Sequence, residues 1–117
     1  MVGLTIYLVE AYPLKKDRKR KYKAVMKRIH RSLRHHKRDV PELLSYRTFE
    51  AGREGSLTRF VEVFEFANQK SMNGFFGRFS ETRWLRALQQ DFFEVVPRRT
   101  MQAFTWTEFL MDEWFTR

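Results

Sequence analysis

Residues 17–38 read DRKRKYKAVMKRIHRSLRHHKR and carry the most regular hydropathy pattern in the chain. At about 100° per residue, the less polar side chains fall within an arc of roughly 100°. They are Tyr22, Val25, Met26, Ile29, Leu33 and His36, and lysines and arginines fill the opposite side. Pro41 indicates a stop soon after residue 38, because a proline disfavours helical backbone in the residue before it. The segment therefore predicts an amphipathic helix with one buried stripe.

The residues before this helix predict a β-strand over positions 4–12. Apolar side chains occupy both of its alternating faces, which indicates a strand that is covered on both sides. Pro13 has no backbone N–H to donate to a sheet, so we expect the strand to end there.

The residues after the helix predict a β-hairpin with arms at 43–51 and 57–66. Gly52 and Gly55 are placed in the connection between the arms, where glycine supplies unusual backbone angles. The second arm is rich in residue types that favour strands, namely Phe60, Val61, Val63, Phe64 and Phe66.

Two helical segments follow the hairpin. Residues 68–79 favour a short helix, although Gly74 and Gly77 weaken it. Ser80 is the predicted N-cap of a longer helix that closes at Pro97.

The chain ends with a predicted strand and a short tail. Residues 100–110 contain Phe104, Thr105 and Trp106, which are typical of a sheet. We expect Trp114 and Phe115 of the tail to dock on a surface that the sequence does not identify.

The resulting order, β-α-β-β-α-β, predicts an α+β fold with a four-stranded antiparallel sheet and helices on one face, the ferredoxin-like plait. The opposite face of the sheet also carries bulky apolar residues, and soluble monomers rarely expose such a patch beyond a few hundred Å². A two-fold symmetric dimer is the commonest oligomer, so we predict a homodimer that forms through this helix-free face, the open sheet face. A dimer of this kind without any ligand is one of the functional alternatives.

Composition limits the class of protein. The chain has 117 residues, of which 43 % are hydrophobic, enough to bury a core, and we predict a single domain over residues 1–117. Cysteine is absent, which excludes disulfides and thiolate chemistry. Neither a bilayer-spanning apolar run nor a secretion signal is visible, so we expect a cytoplasmic protein with no membrane partner. The side chains of His30, His35 and His36 diverge around the helix, and we predict neither a metal site nor a cofactor.

The positive charge is concentrated in one segment. Thirteen lysines and arginines and one aspartate lie between Lys15 and Arg38, although the whole chain has a net charge of only +9. One hypothesis is a nucleic-acid interface that holds phosphates through Lys23, Lys27, Arg31 and Arg34. The alternative, which general charge patterning favours, is a solvated surface that serves solubility or is screened by acidic residues of a neighbouring subunit. Aromatic residues for base stacking are missing from this face, which argues against sequence-specific recognition of a single strand.

Three short motifs resemble a known superfamily. Tyr12-Pro13-Leu14-Lys15 resembles the end of the first strand in NIPSNAP-like proteins, and Glu62-Val63-Phe64-Glu65 resembles a stretch of the antibiotic-biosynthesis-monooxygenase-like group. Trp84 is similar to a tryptophan at the head of the last helix in these families. The resemblance extends over residues 4–110 and is to the dimeric α+β barrel superfamily.

The resemblance implies a homodimer whose two sheets form a barrel around a small cavity. Haem-degrading members use an Asn, a Trp and a His around the cavity. Here the first strand has no Asn, and all three histidines lie in the first helix, so haem chemistry is not supported. A shared fold does not define an activity, and whether the chain is an enzyme stays open.

The leading functional hypothesis is that the barrel binds or transforms a small organic molecule. Glu62 lies among phenylalanines on one strand face, so burial is expected to raise its pKa toward the range of a general base. Glu62 and Tyr7 are the candidate catalytic residues, and Tyr7, Tyr46, Arg47 and Glu62 are the candidate ligand-binding residues. The structural alternative is that Glu62 pairs with Arg47, Arg59 or an arginine of a partner chain.

Overall fold

The computed structural model of the protein describes residues 4–109, 113, 115 and 117. Within these residues, four strands and three helices follow in the order β1, α1, β2, β3, α2, α3, β4. The strands are β1 (Ile6–Lys15), β2 (Leu43–Glu54), β3 (Leu57–Phe66) and β4 (Gln102–Thr107). The helices are α1 (Lys19–His35), α2 (Gln69–Gly77) and α3 (Arg83–Val95).

The strands form one sheet in the spatial order β2-β3-β1-β4, with antiparallel pairing throughout. All three helices contribute side chains to the core on the same face of this sheet. The α+β fold and its ferredoxin-like topology, predicted from the order of the elements, are confirmed.

Helix α1 lies on the sheet through the predicted apolar stripe. Tyr22, Val25, Met26 and Ile29 are buried, and the lysines and arginines point outward. Short 3₁₀ turns at Lys16–Arg18 and Lys37–Asp39 flank the helix, so the α-helix is shorter than the predicted segment 17–38. Burial of the stripe is what stabilises this helix, because its repeated like charges repel one another along the outer face.

The even-numbered residues of β1 and β3 face the helices. Tyr12 and Phe60 pack with α1 and α3 in one cluster, and Phe64 and Phe66 pack with Phe75 of α2 in a second cluster. Because successive side chains of a strand alternate between faces, this fixes the odd-numbered residues on the other side of the sheet.

The odd-numbered residues of β1 and β3, together with their register partners in β2 and β4, form the open sheet face. No helix covers this face within the described residues. Val9 is paired with Val63 on one side and Phe104 on the other, and Tyr7 is paired with Trp106. Phe49, Phe104 and Trp106 are 47 %, 42 % and 51 % exposed, although each is a large apolar side chain. The rings of Phe104 and Trp106 are 5.8 Å apart and continue the same surface.

The prediction that β1 ends at Pro13 is wrong, since the strand continues to Lys15. The neighbouring strand β4 begins at Gln102, opposite Ala11, and runs antiparallel to β1, so it does not reach Tyr12–Lys15. Beyond that point β1 is paired, within the part of the chain that the structure describes, on one side only, with β3, and a proline is tolerated at such a strand edge.

The hairpin turn is tighter than predicted. Strand β2 extends to Glu54, so Gly55 and Ser56 alone connect it to β3. Gly52 lies within β2 at a register shift, with φ of +115°, and not in the connection. This angle suits glycine at a β-bulge, and an L-residue with a side chain would be strained there.

The N-cap predicted for α3 is also wrong. Ser80 lies in a 3₁₀ turn and its hydroxyl donates to the carbonyl of Gly77 at 3.0 Å, while α3 begins at Arg83 after Thr82. Thr82 makes no side-chain cap hydrogen bond to α3. Helix α2 does have an N-cap, because the side chain of Asn68 accepts from the backbone N–H of Ser71 at 2.8 Å.

Part of the predicted C-terminal structure falls on residues that are not described. Leu110, at the end of the predicted last strand, and Trp114, expected to dock, are outside the described residues. Phe115 is described and is 84 % exposed, so it does not dock on this chain. None of the helices in the described part of the chain has the length and apolar run that a bilayer span requires.

Candidate functional site

A cavity of about 100 Å³ lies between the sheet and the helices, and we call it the sheet–helix cavity. Six phenylalanines line it: Phe64, Phe75, Phe76, Phe79, Phe92 and Phe93. The aliphatic lining consists of Ile29, Leu33, Leu85 and Leu88, and the polar lining of Glu10, Tyr46, Glu62 and Gln89. Such a lining, mostly apolar with a few convergent polar groups, is typical of small-molecule sites.

Glu62 is the most buried polar group of this cavity. Alternation along β3 directs its side chain toward the helices, between Phe60 and Phe64, and only 2 % of the residue is exposed. Its Oε1 accepts a hydrogen bond from the hydroxyl of Tyr46, while Oε2 has no hydrogen-bond partner among the described residues. A buried carboxyl oxygen without a partner is costly, so it requires an explanation.

A second carboxyl group faces the same cavity. Glu10 of β1 is the register partner of Glu62 of β3, and the two side chains lie side by side on the helix face of the sheet. Burial raises the pKa of Glu62 from 4.5 to about 8, and the negative charge of Glu10 adds to that rise. Burial likewise raises the pKa of Glu10 from 4.5 to about 7. Near neutral pH the pair therefore holds protons that ordinary glutamates would have released.

Three tyrosine hydroxyls surround the carboxyl pair. Tyr12 and Tyr22 are hydrogen-bonded to each other, with their hydroxyl oxygens 2.6 Å apart. The hydrogen bond from Tyr46 and the nearby hydroxyl of Tyr12 lower the pKa of Glu62 and partly offset the effect of its burial. Burial and the nearby Glu62 carboxylate raise the pKa of Tyr12 and Tyr46, and burial is the main cause of the raised pKa of Tyr22. The tyrosines accordingly remain protonated and act as hydrogen-bond donors.

His30 connects this network toward the protein surface. Its Nε2 is 3.2 Å from the hydroxyl oxygen of Thr48, and its ring lies 4.7 Å from the ring of Tyr46. Burial lowers the pKa of His30, and the positive charge of Arg34 lowers it further. The imidazole is therefore neutral at neutral pH and acts as a packing and hydrogen-bonding group.

The sequence-predicted site residues separate into two groups. Tyr46 and Glu62 meet in the sheet–helix cavity and are in direct contact. Tyr7 and Arg47 lie on the open sheet face, where Tyr7 is opposite Trp106 and Arg47 is opposite Val63. The four residues therefore do not share one cavity within the chain, because the sheet lies between the two pairs.

The sheet–helix cavity lies on the helix side of the sheet. The predicted ligand site between the sheets of two protomers concerns the opposite side and stays a prediction. The predicted ion pair of Glu62 within the chain needs correction. Arg47 and Arg59 are on the face opposite Glu62, so neither forms the predicted ion pair, and Tyr46 is the partner instead.

Glu10 was missed as a site residue. The signal was present, since Glu10 is the one charged residue between positions 4 and 12 and shares its strand face with Leu8 and Tyr12. A charged residue at a position of the buried face is a candidate for function, because burial of a charge requires compensation.

The outer side of α1, which we call the basic helix face, is largely exposed. Lys23, Lys27, Arg31 and Arg34 all point to solvent. Across the described residues, ion pairs of α1 with acidic side chains include Lys19 with Glu50 at 3.0 Å and Arg28 with Asp91 at 3.8 Å. The remaining positive charge of this face is available to an anionic partner.

The structural comparisons identify the fold. No protein-family model matches the chain, and no curated protein matches its sequence. A dimeric ferredoxin-like protein from an uncultured marine organism has a TM-score of 0.62 at 12 % identity, over 95 % of this chain and 99 % of that chain. A dimeric ferredoxin-like protein of unknown function from Thermobifida fusca has a TM-score of 0.57 at 13 % identity, over 91 % and 92 %. Hydroxynitrile lyase from Passiflora edulis has a TM-score of 0.52 at 12 % identity, over 99 % and 100 %.

At these identities the likeness establishes the fold and nothing finer. The chain has the ferredoxin-like α+β fold of proteins that include two described as dimeric and one described as a lyase. One fold hosts many activities, so function has to be argued from the site.

Proposed function

We propose that the chain binds a small organic molecule in the sheet–helix cavity, with Glu62 as its main polar contact. The observation that carries this proposal is the Oε2 atom of Glu62, which is buried in the cavity wall without a hydrogen-bond partner. A ligand that hydrogen-bonds to Oε2 supplies the missing partner and offsets the cost of burial. Because its pKa is about 8, Glu62 is also suited to exchange a proton with a bound molecule near neutral pH.

The dimensions of the cavity define the ligand. Engineered apolar cavities of ~150 Å³ hold benzene, so a cavity of about 100 Å³ limits the ligand to a small molecule, at most about the size of a single ring. Phenylalanine rings provide most of the contact surface, and the carboxyl pair with Tyr46 fixes the orientation. The proposal covers binding and proton-transfer chemistry, and the fold accommodates enzymes, as the lyase from Passiflora edulis illustrates.

Binding of phenol tests this proposal, since phenol combines an aromatic ring with one hydroxyl. In NMR titrations we expect phenol to shift resonances of Tyr46, Phe75 and Phe92, which lie around the cavity. Glu62→Leu is expected to weaken phenol binding by about tenfold or more, because it removes a hydrogen bond to a buried carboxyl group.

Glu65→Leu is the matched control for this titration. Glu65 lies on the same strand but on the open sheet face, where it accepts from the hydroxyl of Ser45 at 2.7 Å. It is expected to leave phenol binding unchanged. An absence of phenol-induced shifts around the cavity contradicts the proposal and favours the alternative of a structural dimer without a ligand.

We further propose that the protein is a homodimer of the dimeric α+β barrel superfamily and associates through the open sheet face. The exposed aromatic rings of Phe49, Phe104 and Trp106 support this assignment, since a bare surface of this kind is unfavourable in water. Two proteins of the same fold are described as dimeric. In such a dimer, Tyr7 and Arg47 lie at the interface between the protomers.

A second candidate function is electrostatic binding of nucleic acid by the basic helix face. The exposure of its lysines and arginines favours this candidate. A short DNA duplex is expected to bind with an affinity that falls about 10³-fold between ~50 and ~200 mM salt, if six or more phosphates are contacted. Glutamate is expected to abolish binding when it replaces Lys23, Lys27, Arg31 and Arg34 together.

The control has the same change of charge elsewhere on the surface. It replaces four exposed basic residues outside α1 by glutamate, namely Arg53, Lys70, Arg83 and Arg99. Equal loss of binding in both variants assigns the effect to net charge and argues against an interface on α1. Electrophoretic titration at the two salt concentrations measures the DNA affinity of the wild type and of both variants.

A further inference from the structure

The charges around the sheet–helix cavity have the opposite sign to those of the chain as a whole. The chain has a net charge of +9, yet the described residues that line the cavity include two glutamates and no lysine, arginine or histidine. Glu10 and Glu62 are register partners on adjacent strands, so their carboxyl groups are close and no cationic side chain of the cavity wall separates them. Two buried carboxyl groups without a cation form an incomplete electrostatic arrangement.

The remainder of the cavity wall suits a cation of an organic kind. Aromatic rings present a negative face and attract cations within about 6 Å of the ring centre, and quaternary ammonium groups are recognised in this way. The cavity is lined by six phenylalanine rings, and Phe75 and Phe76 are packed edge to face at 4.9 Å between centroids. A hydrated metal ion is poorly matched to such a wall, which offers few oxygen ligands.

We propose that the sheet–helix cavity binds a small organic cation, an alkylammonium, whose charge is balanced by Glu10 and Glu62 and whose alkyl groups contact the phenylalanine rings. This inference rests on the proposed function, since it names the chemical class of the ligand at the same site. One missing component then explains why the described cavity wall has two carboxyl groups and no basic residue, and a positive charge beside Oε2 of Glu62 compensates for the hydrogen bond that this oxygen lacks.

Binding of a cation changes the protonation of the site. The groups that face Glu62 are Glu10 and Tyr12 from β1, Tyr46 from β2 and Tyr22 from α1. His30, also from α1, lies against Tyr46 and is hydrogen-bonded to Thr48, the register partner of Glu62; its pKa is lowered below 6.5, so it stays neutral above that pH. The tyrosines stay protonated, and the described cavity residues of α2 and α3 are aromatic, aliphatic or, in the case of Gln89, an amide. The carboxyl pair is therefore the part that titrates, and a cation favours its ionised form, so binding releases protons near neutral pH.

Calorimetry with tetramethylammonium and tert-butanol tests the inference. The two compounds are of similar size, but the first carries a permanent positive charge and the second is neutral. We expect tetramethylammonium to bind at least tenfold more tightly, with proton release seen as a dependence of the heat on the buffer. Its affinity is expected to rise by about 10- to 100-fold between pH 6 and pH 9, as the two carboxyl groups ionise.

Variants connect the effect to the two carboxyl groups. Glu10→Gln and Glu62→Gln are each expected to weaken tetramethylammonium binding by about tenfold and to reduce its pH dependence. Glu65→Gln, on the other face of β3, is expected to change neither quantity. This control separates a local effect from the loss of one negative charge in the whole chain.

The outcomes distinguish the inference from the proposed function. If tert-butanol binds as tightly as tetramethylammonium and shifts resonances of the cavity residues, the ligand is neutral; the cation inference is then overturned and the proposed function stands. If tetramethylammonium, tert-butanol and phenol all leave those resonances unchanged, the proposed function fails and the inference fails with it.

Discussion

The free energy of unfolding is expected to fall by roughly 6 kcal/mol as the pH rises from about 5 to about 9, and Glu62→Gln is expected to remove more than half of that fall. The pKa of Glu62 rises on folding from 4.5 to about 8, and that of Glu10 to about 7. Between these values the folded chain holds protons that the unfolded chain has released. Stability is therefore complete below about pH 4.5 and is lost as the pH rises through 7 and 8.

Urea denaturation at a series of pH values, with the protomer concentration fixed, measures this effect. Glutamine has nearly the shape of a protonated glutamate and can accept from Tyr46, so the variant is expected to match the wild type near pH 5 and to exceed it near pH 9. Glu65→Gln, on the open sheet face of the same strand, is expected to follow the wild-type curve. A wild-type stability that increases from pH 5 to pH 9 contradicts the prediction.

Aspartate at both Phe104 and Trp106 is expected to convert the protein from a dimer to a monomer. Each change removes an aromatic ring from the open sheet face and places a carboxylate where the proposed interface excludes water. Loss of the buried ring alone costs about 1.5–3 kcal/mol, and burial of an unpaired charge adds to this. The dissociation constant of the dimer is thus expected to rise by at least about 10³-fold.

Sedimentation velocity distinguishes the two states, since the protomer mass is 14.3 kDa. The control introduces the same two carboxylates on the helices, at Ala24 and Ala87, which are both exposed. This control is expected to remain dimeric. A wild-type protein that sediments as a monomer at all concentrations refutes association through the open sheet face.

Local patterns in the sequence were sufficient to predict the fold. The stripe of Tyr22, Val25, Met26 and Ile29 has one helical period, and the structure buries all four residues against the sheet. The alternation in β3 predicts a strand in the same direct way. The errors in the predicted element boundaries arise where a neighbouring strand determines the boundary. Pro13 remains in β1 because β4 does not extend past Ala11 and no hydrogen bond from residue 13 to β4 is needed.

The candidate site could be predicted only in part. The sequence indicates that Glu62 is buried among phenylalanines, since their spacing on one strand is enough for that conclusion. It does not indicate which face of the sheet the helices cover, and this choice places Tyr46 with Glu62 and directs Tyr7 and Arg47 to the other side. The pairing of Glu10 with Glu62 depends on the register between β1 and β3, which arises from long-range contacts.

Because β1 extends past Gln102 of β4, a short length of its edge has no neighbouring strand among residues 4–109. An unpaired edge invites a strand of another molecule to add to it, which is a common start of aggregation. At this edge the chain presents Pro13, which lacks a donor, and Lys15, whose charge resists close approach of a second copy. Pro13 and Lys15, in the part of β1 that lies beyond the predicted strand end, thus oppose polymerisation through that edge.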